Sequence, residues 1–329
     1  MFISIDPHNT KRIAIISPER ARRPDMYREG EAGLCPFCPG NEYLTPPPTL
    51  VQVVEGSEPR YVSPLSASTT LWNARCFPNK FPALSLDPST KPRVPDTPSV
   101  YGYHEVLVET RLHSESEYLA NSLNLYYALH ALRERARQIM SDSYIVFFTA
   151  VKNYGLGSGG SIPHPHLQLF GLTYVPPEIA DEVETSRAAP ICPLCNLDIY
   201  RDYVVYENEG FTLSLAPAPR APYEMILIPQ RHRSSFTEVS DGELMFLADA
   251  LRVALLFIEK VLGEDYNYWL HTAPKGVDRY HWHIEIMPRT ENWGGFERGA
   301  RTYIVPVDMG ELVVEVRNSI NSLLQNRYP

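Results

Sequence analysis

The chain repeats itself, and the repeat limits the fold more than any other feature. "EVLVETRLH" (Glu105 to His113) aligns without a gap on "EMILIPQRH" (Glu224 to His232). Each segment is a β-type apolar run that begins in Glu and ends in His. Each is followed by Ser-x-x-Glu, Ser114 with Glu117 and Ser235 with Glu238, a capping-box pattern that predicts a helix start. Long helical patterns come next, "EYLANSLNLYYALHALRERARQIM" and "ELMFLADALRVALLFIEKVL", then strand-like runs, "YIVFFTAV" and "YNYWLHTA". A His-x-His pair closes each half: His164/His166 and His281/His283, beginning 51 and 49 residues after the lone histidine. Such a chain is expected to form two similar α+β halves, each an antiparallel sheet carrying a long helix. A length of 329 residues agrees with two domains. The boundary is expected near Pro176 to Pro190, giving domains 1–178 and 179–329.

The cysteines follow the repeat. "CPFC" supplies Cys35 and Cys38, and "CPLC" supplies Cys192 and Cys195. A C-x2-C knuckle lets two thiolates grip one tetrahedral Zn²⁺. Each half then offers the same four ligands. The first half has Cys35, Cys38, His113 and His164; the second has Cys192, Cys195, His232 and His281. Four N/S ligands with no open position describe a structural zinc site, for which iron is the alternative metal. Cys76 is left over and reads as a small buried hydrophobe. His8, His104, His130 and His271 have no support from the repeat and read as ordinary histidines.

The net charge of −9 excludes a nucleic-acid binder that relies on a broad basic face, although basic residues cluster locally in "RARRP" (Arg20 to Pro24). The N-terminus lacks a long apolar run, and no stretch reaches the length of a membrane span, so a cytoplasmic protein is expected.

The chemistry is concentrated in "GGSIPHPHLQLFG", Gly159 to Gly171. In an extended strand residues i and i+2 share a face. A metal can fix His164 while His166 stands beside it, free. Pro163 and Pro165 remove two donors, which predicts an edge or bulge. A rigid free imidazole is a nucleophile or a general base. Upstream, "NYGLGSGGS" (Asn153 to Ser161) is glycine-rich; Gly159 and Gly160 would let backbone N–H groups approach a phosphate, with Ser161 adding a hydroxyl. Gln168 takes the next position on the face of His166. A neutral amide cannot protonate a leaving group, so the leaving group should already be a stable anion. A sugar 1-phosphate qualifies. The residues therefore point to nucleotidyl transfer from a nucleotide sugar, ping-pong, through a nucleotide held on His166. The other nitrogen of His166 is expected to donate to a backbone carbonyl.

These motifs resemble the galactose-1-phosphate uridylyltransferase family of the histidine-triad superfamily over nearly the whole chain. "SPERARRP" (Ser17 to Pro24) is similar to the family's N-terminal arginine motif and implies that Arg20 and Arg23 hold a sugar phosphate. "CPFCPGNE" looks like its zinc knuckle. "FPNKFPAL" (Phe77 to Leu84) resembles its nucleoside segment, with Asn79 the implied contact. Asn153 and Ser161 match its phosphate loop, His166 its nucleophile and Gln168 the partner of that nucleophile. "GGFERG" (Gly294 to Gly299) resembles its hexose segment, implying Phe296 and Glu297. The resemblance implies histidine-triad-like halves, galactose metabolism, transfer of UMP from UDP-glucose to galactose 1-phosphate, and a homodimer with sites shared between subunits. Lys80, Tyr303 and the second knuckle depart from the bacterial branch and resemble a relative that uses ADP-glucose, so an adenylyltransferase or phosphorylase is the alternative. A histidine-triad nucleotide hydrolase and a non-catalytic zinc module are the remaining alternatives, opposed by Gln168 and by the acidic balance. In the second half Glu285 replaces the glutamine and "APKGVDRY" lacks the glycine run. His283 is therefore expected to support the fold or pocket rather than act as a nucleophile, and Trp282 to pack.

Overall fold

The computed structural model describes residues 1–23, 34–63, 71–94, 96–196 and 200–325; Pro24 of the arginine segment lies outside them. Its strands are β1 (Phe2–Ile5), β2 (Ile13–Ile16), β3 (Leu50–Glu55), β4 (Glu58–Val62), β5 (Ala74–Pro78), β6 (Gly102–Val108), β7 (Phe147–Tyr154), β8 (His166–Leu172), β9 (Val204–Glu207), β10 (Phe211–Leu215), β11 (Met225–Pro229), β12 (Tyr266–His271) and β13 (His283–Pro288). β1 and β2 form a separate hairpin. The others form one sheet in the order β4-β3-β5-β6-β8-β7-β12-β13-β11-β10-β9. The halves meet where β7 pairs antiparallel with β12, Lys152 opposite Tyr268.

The α-helices are α1 (Glu115–Leu119), α2 (Ser122–Met140), α3 (Pro177–Ala188), α4 (Asp241–Phe257), α5 (Gly295–Ala300) and α6 (Met309–Gln325). Asn121 caps α2 by accepting from the Leu123 N–H. The buried positions of α2, Leu125, Leu129, Leu132, Ala136 and Ile139, recur at helical spacing on one face. In α4, Leu244, Leu247, Leu251 and Leu255 do the same. These faces lie on the sheet and on each other, and one apolar core runs from Leu50 to Ile320 through both halves. The two sheets of the duplicated pattern are thus one, and the long helices share a core. None of the helices among the described residues is long and apolar enough to cross a membrane.

Three local expectations change. Ser114 caps only the short α1. Ser235 caps a single 3-10 turn, and the capping box that opens α4 is Ser240 with Glu243. Pro163 and Pro165 do not make an edge: they precede β8, which is hydrogen-bonded to β6 and β7 on its two sides. The Pro165 carbonyl accepts from the Glu109 N–H, so the ladder uses the acceptor that proline keeps and not the donor it lacks. Finally, the repeat is offset by one residue. Val106 faces Gln168 across β6 and β8, whereas Ile226 faces Glu285 across β11 and β13. Glu105 turns to the helix face and pairs with Arg135 of α2 at 2.6 Å. Glu224 turns to the opposite face and pairs with Arg220. In a strand, one residue of slip exchanges the faces, so the sequence match of Glu105 with Glu224 is not a spatial one.

Candidate active site

Both predicted metal sets assemble. The ligand atoms of Cys35, Cys38, His113 and His164 lie within 4.8 Å of one another, as do those of Cys192, Cys195, His232 and His281. Cys38 Sγ is 3.2 Å from His113 Nδ1 and 3.6 Å from His164 Nδ1; Cys195 Sγ is 3.1 Å from His232 Nδ1 and 3.5 Å from His281 Nδ1. Ligands around tetrahedral zinc are separated by roughly 3.6 Å, so the donor sets fit such an ion. The second layer fits as well. The Nε2–H of His164 donates to the Thr110 carbonyl (2.8 Å) and that of His281 to the Pro229 carbonyl (2.9 Å), turning each Nδ1 lone pair toward the thiols. Burial lowers His164 to about 3 and His281 to about 4, so both rings are neutral, as ligation requires.

Immediately after the first set, His166 opens β8. Its Nδ1–H donates to the His164 carbonyl at 2.7 Å, which leaves the Nε2 lone pair free. Loss of hydration lowers the ring to about 4, so it is neutral near pH 7. The ring packs edge-on against Phe37 of the knuckle, with centroids 5.1 Å apart. Both border a cavity of about 310 Å³, whose walls also include Arg23, Asn79, Lys80, Asn153, Gly159, Gly160, Ser161 and Gln168. His166, Gln168, the glycine segment, Asn79 and Arg23 thus border one cavity.

The glycine segment engages two of its own donors. The Gly159 N–H donates to the Leu156 carbonyl and the Gly160 N–H to the Gly155 carbonyl, so both are engaged within the turn. Within the turn these two donors are satisfied, and glycine is needed at 160 for closeness. A Cβ on Gly160 would meet the Asn153 and Gly155 carbonyl oxygens at 2.7 Å. Side-chain donors also stand at the wall. Asn153 Oδ1 accepts from Asn267 Nδ2 at 2.7 Å, and this leaves the Asn153 NH2 as its exposed function.

Some expected residues stand elsewhere. Arg20 is set behind the wall, donating to the Phe81 carbonyl at 2.7 Å. Phe296 and Glu297 lie on α5, where Phe296 is exposed, and neither borders this cavity. Other participants were missed. His104, read as ordinary, is buried against Asn79 and Gln168. Its signal was alternation with Val106 and Val108 on one strand face, which means something only once that strand is paired with β8. His271, also read as ordinary, joins Glu182, His283 and Glu285 in a third cluster within 4.8 Å. Burial alone would raise the Glu182 carboxyl, but the His271 hydrogen bond and charge outweigh it and hold it at about 2. Glu285 pairs with Arg220 at 2.6 Å. The His283 face is thus lined with carboxylates, which repel phosphate, and Trp282 is fully buried in the core.

No family model matches the chain. Among curated proteins, an ADP-glucose phosphorylase from Arabidopsis thaliana is 30% identical over 93% of this chain and 91% of its own. A galactose-1-phosphate uridylyltransferase from Thermotoga maritima is 26% identical over 74% of this chain and 83% of its own. Among solved structures, an Arabidopsis thaliana ADP-glucose phosphorylase with bound ADP-glucose superposes with a TM-score of 0.75 at 28% identity, covering 96% of this chain and 97% of the other. With that identity over nearly the full length and the same fold, the chain belongs to the galactose-1-phosphate uridylyltransferase family of the histidine-triad superfamily.

Proposed function

We propose that the protein moves a nucleoside monophosphate from a nucleotide sugar to a phosphate-bearing acceptor, through a covalent intermediate on His166. The observation that carries this is the His166 ring itself: neutral, tied at Nδ1 to a carbonyl, and presenting Nε2 to the cavity. Nε2 attacks the α-phosphorus; the N–P bond forms as the P–O bond to the sugar 1-phosphate breaks. The departing dianion needs no proton, in keeping with a neutral Gln168 beside the nucleophile. The imidazolium keeps its Nδ1 hydrogen on the His164 carbonyl. An acceptor phosphate oxygen then attacks the same phosphorus, and the N–P bond breaks. Arg23 and Lys80 offset the phosphate charge, and the amides of Asn153 and Gln168 with the Ser161 hydroxyl donate to its oxygens. The two metal sites are structural, holding the knuckles and the His-x-His entries in place.

The donor is assigned as ADP-glucose, because the relative that matches most of both chains carries that name, and Lys80, Tyr303 and the second knuckle resemble the same branch. Inorganic phosphate or a hexose 1-phosphate is the acceptor. UDP-glucose with galactose 1-phosphate is the second reading, supported by the uridylyltransferase relative. Phe296, exposed on α5, and Glu297, half-buried beside it, serve the site of a second copy, as the family resemblance implies for a homodimer.

The test is a matrix of ADP-glucose and UDP-glucose against phosphate, glucose 1-phosphate and galactose 1-phosphate. The expected result is conversion of ADP-glucose, with label from the nucleotide trapped on protein in the absence of acceptor. Free nucleotide as sole product, without dependence on acceptor, would establish a hydrolase instead.

A further inference from the structure

We propose that His104 is the positioning residue for Gln168, holding its amide with the oxygen turned away from the cavity and the NH2 turned toward the phosphate. This rests on the reading of Gln168 as a phosphate donor.

The contacts of His104 fix its tautomer. The Ala83 N–H donates to His104 Nδ1 at 2.8 Å, and Arg20 Nη1 stands 3.4 Å from the same atom. Nδ1 is therefore an acceptor, and the ring hydrogen is on Nε2. Two groups face Nε2: Gln168 Oε1 at 3.1 Å and Asn79 Nδ2 at 3.2 Å. Asn79 accepts from the Phe81 N–H through its own Oδ1 at 2.9 Å, so the atom it turns to His104 is a donor. Only Gln168 Oε1 can take the Nε2 hydrogen. The Gln168 NH2, which makes no hydrogen bond among the described residues, is left for the cavity.

The ring cannot easily give this up. It is 4% exposed and stacked on Phe170, with centroids 4.3 Å apart and planes at 20°. Burial, reinforced by the Arg20 charge, lowers it to about 3, so it keeps one donor and one acceptor. The orientation matters because a terminal amide turns over at little torsional cost. In the wrong orientation it offers a phosphate an oxygen lone pair where it should offer hydrogen.

The second half supplies an internal control. With the one-residue offset, Glu224 takes the place of His104 and Glu285 that of Gln168. There Arg220 bridges two carboxylates, donating to both. The half without a glycine run thus has neither the oriented amide nor the histidine that orients it.

The experiment uses the parts of the ring separately. Asparagine at 104 reaches the Nδ1 position and keeps the Ala83 contact; glutamine reaches the Nε2 position and keeps the donor to Gln168. Single-turnover release of glucose 1-phosphate from ADP-glucose and from UDP-glucose is measured for His104→Asn, His104→Gln, His104→Phe, Gln168→Ala and the double variant His104→Asn/Gln168→Ala. Removing one preorganised donor slows such steps by on the order of 100-fold, so Gln168→Ala is expected to fall by that factor. His104→Asn and His104→Phe should slow release by about tenfold or more, and His104→Gln should stay within about threefold of the parent. In the Gln168→Ala background, His104→Asn should add less than about twofold, because the two residues act as one unit. If His104→Phe does not fold, His104→Asn alone decides. Parent-like release by Gln168→Ala would overturn the reading of Gln168 and this proposal together. Slow release by Gln168→Ala with parent-like release by His104→Asn would overturn this proposal alone. So would equal losses from His104→Asn in both backgrounds, which would mark His104 as merely structural.

Discussion

The proposed nucleophile, His166, owes its tautomer to its nearest carbonyl. His164 turns its side chain to the thiols and its backbone oxygen to His166, so a member of the Cys/His cluster also sets the neighbouring tautomer. If that is the working arrangement, the imidazole ring itself is replaceable. His166→Gly is expected to lose all nucleotidyl transfer while keeping its metal content, and added imidazole should restore release of sugar 1-phosphate by forming nucleotidyl-imidazole. Label exchange between nucleotide sugar and sugar phosphate at near the parent rate in folded His166→Gly would sink the covalent mechanism. At this scale the sequence was informative where residues lie close along the chain. His166 and Gln168 share a face because a strand has a period of two, and His164 lies just ahead of them, all visible in a single short stretch. His104 was not visible, since its meaning comes from a neighbour 64 positions away, across a strand pair that no local pattern announces.

The elements show what the duplication left unequal. β7 alternates between the two faces: Asn153 borders the cavity, while Lys152 turns under the sheet and is 1% exposed. Its ammonium lies 2.6 Å from Glu109 and 3.0 Å from Glu115, and Tyr266 of β12 donates to Glu115. Burial pushes the Glu115 carboxyl up against the pull of Lys152. One cation thus holds two buried carboxylates at the seam between halves. Lys152→Met leaves both uncompensated and is expected to cost about 3–5 kcal/mol of stability. Urea unfolding measures this, and a loss below about 1 kcal/mol would mean that the carboxylates are already neutral. The triple variant Lys152→Met/Glu109→Gln/Glu115→Gln should recover much of the loss. Helices and strands were legible from their apolar periods. The one-residue offset was not, because Glu105 and Glu224 match in letter while β6 and β11 present them to opposite faces.

For the whole molecule, β7 and β12 zip the two repeated halves into one sheet over one core. The two Cys/His clusters therefore belong to a common structure but border unequal surfaces. The first knuckle carries Pro36 and Phe37 to the cavity wall, with Phe37 against the His166 ring. The second carries Pro193 and Leu194 to the carboxylate-lined pocket of His283. Metal binding is linked to folding, so Cys35→Ser and Cys192→Ser should each lower the melting temperature, by on the order of 5 °C. Because the core is continuous, calorimetry of either variant should show the same single transition displaced downward. Activity should separate them. Cys35→Ser loosens the support of Phe37 and is expected to slow nucleotide transfer by about tenfold or more, while Cys192→Ser stays within about twofold of the parent. Chelation of the parent protein should reproduce both effects together. Two resolved transitions in Cys192→Ser, with only one of them shifted, would show that the halves unfold separately and that the shared sheet does not couple them. A loss of transfer in Cys192→Ser as large as in Cys35→Ser would instead place the second knuckle in support of the His166 site, against the separation of the two pockets on which this expectation rests.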